Sequence, residues 1–118
     1  MANTGKCLCG NVSLTVENVI SEALACHCQS CRRWASGAFI PFNAGNSIAI
    51  DGIDSVKIHQ SSEHGERAFC SNCGSSLYFF YKPESIYMVS TGLFEDTSHF
   101  KLTKQIFTEE KPSFYELS

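Results

Sequence analysis

Short apolar–polar alternations recur along this chain, and helical periodicity is scarce. Val12-Ser13-Leu14-Thr15-Val16 alternates with a period of two, the mark of a half-buried strand. The segments 47–51 and 55–59 repeat that pattern, and Gly52 between them predicts a turn. Leu77-Tyr78-Phe79-Phe80-Tyr81 is an unbroken, aromatic-rich run ended by Pro83, as expected of a strand packed on both faces. Two more strands are predicted at 86–89 and 100–107. A helical pattern is confined to a short turn from Ser30 to Ser36, stopped by Gly37. Polar, glycine-bearing loops are expected at 43–46 and 61–66. No linker or low-complexity stretch divides the chain, so residues 1–118 read as a single, mainly β domain with at most one short helical turn.

Composition narrows the partners. A formal charge of -3 and a pI near 5.7 argue against nucleic acid, whose phosphates demand a basic face. No apolar run approaches the ~20 residues that would span a bilayer, so no membrane partner is expected. The polar start, Met1-Ala2-Asn3-Thr4-Gly5-Lys6, lacks the apolar core of a secretory leader. A cytoplasmic, reducing setting is the expectation, in which thiols stay free for metal.

The chemistry is concentrated in seven cysteines that fall into three clusters. Cys7 and Cys9 form a C-x-C, Cys26, Cys28 and Cys31 a C-x-C-x-x-C, and Cys70 and Cys73 a C-x-x-C that runs into Gly74. Cysteines so close together at a turn can aim their sulfurs at one point, as a tetrahedral Zn²⁺ requires. A disulfide framework fits poorly, because an odd count leaves one thiol over and C-x-C neighbours rarely meet disulfide geometry. The arithmetic gives two zinc sites. The two outer pairs make a closed set of four that would pin distant parts of the chain together. The middle cluster supplies three, leaving its fourth position to a histidine, a carboxylate, a water or a substrate. In the strand order above, Cys7 and Cys9 precede the first strand, and Cys70 and Cys73 sit on a knuckle between two strands.

Taken in order, these motifs resemble the family of glutathione-dependent formaldehyde-activating enzymes, which also includes the vertebrate centromere protein V. The resemblance is carried by Lys6-Cys7-Leu8-Cys9-Gly10, by Cys26-His27-Cys28-Gln29-Ser30-Cys31-Arg32-Arg33, by Ala35-Ser36-Gly37-Ala38, and by Arg67-Ala68-Phe69-Cys70-Ser71-Asn72-Cys73-Gly74-Ser75. Thr91-Gly92-Leu93-Phe94-Glu95-Asp96 and the stretch from Gln105-Ile106-Phe107 to Phe114 resemble its closing segments. The resemblance implies a β-tent fold, in which two zinc-stapled antiparallel sheets lean together. It implies structural zinc on Cys7, Cys9, Cys70 and Cys73, and a catalytic, more labile zinc on Cys26, Cys28 and Cys31. Two positions depart from the pattern: Gln105 and Phe114 stand where the family commonly carries histidine and tryptophan.

Other residues admit two readings each. His27 sits among the cysteines, but strand-like alternation turns it away from whatever its neighbours hold. His59, His64 and His99 lie in polar surroundings and read as solvated surface groups. Arg32 and Arg33 follow Cys31, and either could clamp a substrate carboxylate or serve as an exposed charge. Trp34, Phe39 and Phe42 read as core aromatics beside the zinc turn. Gly10 and Gly74 follow metal ligands, where a positive φ is needed. Three functions stay open. A carbon–sulfur lyase would use zinc on Cys26, Cys28 and Cys31 to join a small thiol such as glutathione to an aldehyde. A non-catalytic zinc scaffold, or a redox or metal sensor, would use the same fold without turnover. A homodimer is left open.

Overall fold

A computed structural model describes residues 3–17 and 21–117; Met1 and Ala2 of the polar start lie outside them. The strands are β1 (Asn3–Lys6), β2 (Ser13–Val16), β3 (Glu22–Cys26), β4 (Pro41–Asn43), β5 (Ala49–Asp51), β6 (Val56–Gln60), β7 (Gly65–Cys70), β8 (Ser76–Tyr81), β9 (Ile86–Ser90) and β10 (Lys101–Ile106). One α-helix, α1 (Gln29–Ala35), and four 3-10 turns complete the described residues. A small sheet runs β1-β2-β5, and a seven-stranded sheet runs β10-β3-β4-β9-β8-β7-β6. Pairing is antiparallel throughout except between β10 and β3, which run parallel. This is the mainly β, two-sheet architecture that the resemblance implied.

The pleat of the large sheet sorts its residues onto two faces. Ala68, Tyr78, Val89, Phe42 and Ala23 face one another across successive strands. All five are buried. The first four join Val12, Leu14 and Val16 in the main core, so the small sheet covers this face. The next row, Arg67, Phe79, Met88 and Asn43, is likewise in register across four strands and points to the other side. There it lines a cavity instead of a core. The aromatic run of β8 is thus packed on both faces, but in two environments.

Several expectations need correction. Cys7 and Cys9 follow β1 instead of preceding the first strand. Gly52 takes a left-handed φ of 84°, yet it joins no hairpin: β5 pairs with β2, whereas β6 pairs with β7 in the other sheet. The helix ends at Ser36, which takes φ 74° and donates its N–H to the Arg32 carbonyl at 2.8 Å; Gly37 has no left-handed φ. His59 and His64 are exposed as expected. His99 stacks on Phe100 with ring centroids 4.2 Å apart, and its Nε2 is buried without a partner among the described residues. The segment Glu22-Ala23-Leu24-Ala25-Cys26, which shows no alternation, is a strand because β10 and β4 flank it.

Candidate metal centres and the cavity beside them

The turn between β1 and β2 carries Cys7 and Cys9, and the turn between β7 and β8 carries Cys70 and Cys73. Gly10 at φ 83° and Gly74 at φ 81° close the two knuckles, with Gly10 N–H donating to the Cys7 carbonyl and Gly74 N–H to the Cys70 carbonyl. Ser75 ties them together, since its Oγ accepts the Leu8 N–H at 3.0 Å and lies 3.2 Å from Cys73 Sγ. The four sulfurs converge within 4.8 Å of one another. Cys7 Sγ lies 3.7 Å from Cys9 Sγ, and Cys9 Sγ lies 3.8 Å from Cys70 Sγ. A tetrahedron with zinc–sulfur bonds of about 2.3 Å has a sulfur–sulfur edge of about 3.8 Å, so this donor set fits zinc. Bonds from Ser75 hold the Cys73 thiol down at about 5, favouring the thiolate a metal needs.

The middle cluster is built differently. Cys26 ends β3 and is pinned by paired backbone bonds with Phe39, at 2.8 and 3.1 Å. Cys28 caps α1, its Sγ accepting the Cys31 N–H at 3.4 Å. The three sulfurs again lie within 4.8 Å of one another, and no histidine, aspartate or glutamate joins either group among the described residues. The Cys26 thiol donates toward Cys31, which lowers Cys31 to about 6 and raises Cys26; the Arg67 guanidinium adds to the pull on Cys31.

Arg67 is the residue that the sequence reading passed over. It is 8% exposed, and its NH1 and NH2 groups donate to Cys31 Sγ at 3.7 and 3.8 Å. Nε donates to Ser61 Oγ at 3.1 Å, and the guanidinium carbon lies 5.0 Å from the ring centroids of both Trp34 and Phe79. Arg32 and Arg33 do not take this place. Arg32 turns its Nε to the His27 carbonyl at 3.0 Å, Arg33 is exposed, and neither lines the cavity. Phe39 does line it, Trp34 packs on Phe39 at 4.9 Å, and Phe42 lies in the main core.

His27 is fully buried and points away from the sulfurs. Its Nε2 lies 2.9 Å from Gln105 Oε1 and its Nδ1 2.9 Å from the Tyr115 hydroxyl. Gln105 gives its amide N–H to the Leu117 carbonyl, which fixes Oε1 toward the ring. Oε1 can only accept, so Nε2 carries the hydrogen and Nδ1 accepts from Tyr115. Gln105 therefore has a defined role, and Tyr115, not the exposed Phe114, completes the contact.

A cavity of about 590 Å³ opens beside the middle cluster, with Cys26, Cys28 and Cys31 in its wall. Comparison with known proteins decides what kind of molecule this is. Residues 2–110 match the sequence profile of the glutathione-dependent formaldehyde-activating enzymes. The chain belongs to the glutathione-dependent formaldehyde-activating family. An uncharacterised lyase of Schizosaccharomyces pombe is 30% identical to it over 115 residues, covering 97% of this chain and 84% of that protein. A Halomonas elongata protein, provisionally named a glutathione-dependent formaldehyde-activating enzyme, is 27% identical over 124 residues, covering 96% and 79%. The fold also matches a crystal structure of a Rhodobacter sphaeroides protein, with a TM-score of 0.71 and 23% identity, over 86% of this chain and 98% of that one. For this formaldehyde-activating family member, the two cysteine groups are the sites that could hold metal ions. No helix among the described residues is long and apolar enough to cross a membrane.

Proposed function

We propose that the protein is a zinc-dependent carbon–sulfur lyase, which joins a small thiol to an aldehyde and releases the two again. The observation that carries this reading is the placement of three cysteine sulfurs in the wall of a cavity. A scaffold domain has no use for such a cavity. Family membership and the names of the two relatives support the same reading.

Cys7, Cys9, Cys70 and Cys73 would hold a structural zinc, and Cys26, Cys28 and Cys31 a second one. When bound there, zinc supplies a cationic centre beside which a thiol is deprotonated at neutral pH. The protein's own groups do the rest. Arg67 offsets the charge of Cys31, and the rings of Phe39 and Phe79 give the cavity beside the sulfurs apolar walls. The thiolate sulfur forms a bond to the carbonyl carbon, and the electron pair of the broken π bond passes to oxygen. That oxygen takes up a proton equal to the one the thiol gave up. Ser30, which lines the cavity and is exposed on α1 between Cys28 and Cys31, is the hydroxyl we assign to relay it, taking a proton from solvent as it gives its own. The reverse sequence releases the aldehyde.

Exchange NMR on ¹³C-formaldehyde with glutathione or 2-mercaptoethanol tests this. The zinc-loaded protein should accelerate exchange between free aldehyde and the S-hydroxymethyl adduct, and Cys28→Ser should lose the acceleration while keeping its fold. Exchange rates equal to those of protein-free buffer would refute the activity.

A further inference from the structure

The cavity has a character that thiol–aldehyde chemistry alone does not call for. Its walls include Leu24, Phe39, Phe79, Ile86, Met88 and Ile106, drawn from five different segments of the chain. Apart from the cysteines, Arg67 is the one ionisable side chain of the lining that is charged at neutral pH. That charge is already committed: both terminal nitrogens donate to Cys31, Nε is bonded to Ser61, and the guanidinium carbon lies 5.0 Å from the rings of both Trp34 and Phe79. Glutathione brings a carboxylate at each end and an ammonium group. Drawing those into an apolar cavity without partners is strongly unfavourable. The remaining polar groups of the lining are neutral, such as Asn43 and Ser62.

We infer that the thiol this site takes carries an apolar substituent, alkyl or aryl, in place of a peptide's charged ends. The inference rests on the thiol reading proposed above and specifies its substrate class. The sulfur meets the Cys26, Cys28 and Cys31 cluster, and the substituent lies along the row formed by Phe79, Met88 and Ile86. These residues sit on adjacent strands, Phe79 opposite Met88 and Tyr81 opposite Ile86, so they form a continuous strip in the wall of the cavity that the sulfurs also line.

The test uses the full chain loaded with cobalt, whose thiolate charge-transfer band reports a new sulfur ligand, with no aldehyde present. Dissociation constants are measured for ethanethiol, butanethiol, hexanethiol, benzyl thiol and glutathione. Each added methylene should tighten binding about fourfold, as expected for burial of apolar surface. Benzyl thiol should bind tighter than glutathione. Ile86→Lys, which sets an ammonium on the wall, should flatten the alkyl series and tighten binding of mercaptosuccinate. Equal constants along the alkyl series, or tighter binding of glutathione than of benzyl thiol, would overturn the inference and leave the lyase reading standing. A band that no thiol alters would overturn both. The series on the unaltered protein decides the matter even where Ile86→Lys fails to fold.

Discussion

Arg67 shows how much of the site depends on one side chain. Hydrogen bonds from Cys26 and Cys28 lower the Cys31 thiol to about 6 and the Arg67 guanidinium adds to that pull, so protons compete with metal for that sulfur at lower pH than for an ordinary thiol. Replacing Arg67 by methionine keeps apolar contact with Trp34 and Phe79 but removes the charge. The Cys31 thiol then regains its proton at higher pH, and the midpoint of zinc release from the middle cluster should move upward. A chromogenic chelator followed across a pH series measures this, and an unmoved midpoint would show that the contact has no electrostatic role. The seven cysteines were legible in the sequence because metal ligands must sit close together at turns. Arg67 was not, because it reaches Cys31 from 36 residues away through strand pairing. The sequence shows it only as the first residue of the motif that runs to Ser75, just after the polar stretch 61–66. Tyr115 was hidden for the same reason, being 88 residues from the histidine it meets.

At the scale of elements, the connections decide more than the strands do. Gly52 carries the chain from the small sheet to the edge of the large one, and a Cβ there would lie 1.8 Å from the Asn11 carbonyl oxygen. The left-handed φ alone costs a non-glycine residue about 1–2 kcal/mol, and the clash adds to it. Gly52→Ala should therefore lower the urea midpoint by the equivalent of more than about 2 kcal/mol at an unchanged slope. The knuckles are the second kind of connection. Cys73→Ser removes one of four sulfurs that join the two sheets, and this variant should be insoluble or melt without a cooperative transition. A soluble protein with a normal melting curve would remove the four-cysteine set from its structural role. Most strands could be read in the sequence, β2, β5 and β6 from alternation and β8 from its unbroken aromatic run. β1, β3, β4 and β7 could not: β3 is a helix-forming composition drawn into a sheet by its neighbours, and β7 hides a buried arginine.

For the whole molecule, the two cysteine groups predict two separable responses to chelation. Four sulfurs hold metal more firmly than three, so the middle group should be stripped first. Exposure does not set this order, because Cys9 of the four-sulfur group is exposed while Cys26 and Cys31 are buried. Titration with a chelator, followed by metal content and far-UV circular dichroism, should show loss of one equivalent with the fold intact and unfolding only with the second. Simultaneous loss would mean that the two groups stabilise one another. The grouping of the cysteines into four and three was visible in their spacing. The cavity was not, since it is formed by six strands that only the folded topology brings together.

The pleat of the large sheet gives the molecule a way to change its diet without changing its skeleton. Along β8 and β9, Tyr78, Phe80, Tyr87 and Val89 belong to the core, while Phe79, Tyr81, Ile86 and Met88 look into the cavity. Neighbouring residues in sequence therefore answer to separate demands. Drift at Tyr81, Ile86 and Met88 can reshape what is admitted while the packing behind them is left undisturbed. A randomised library confined to those three positions would explore new substrates from a largely folded population.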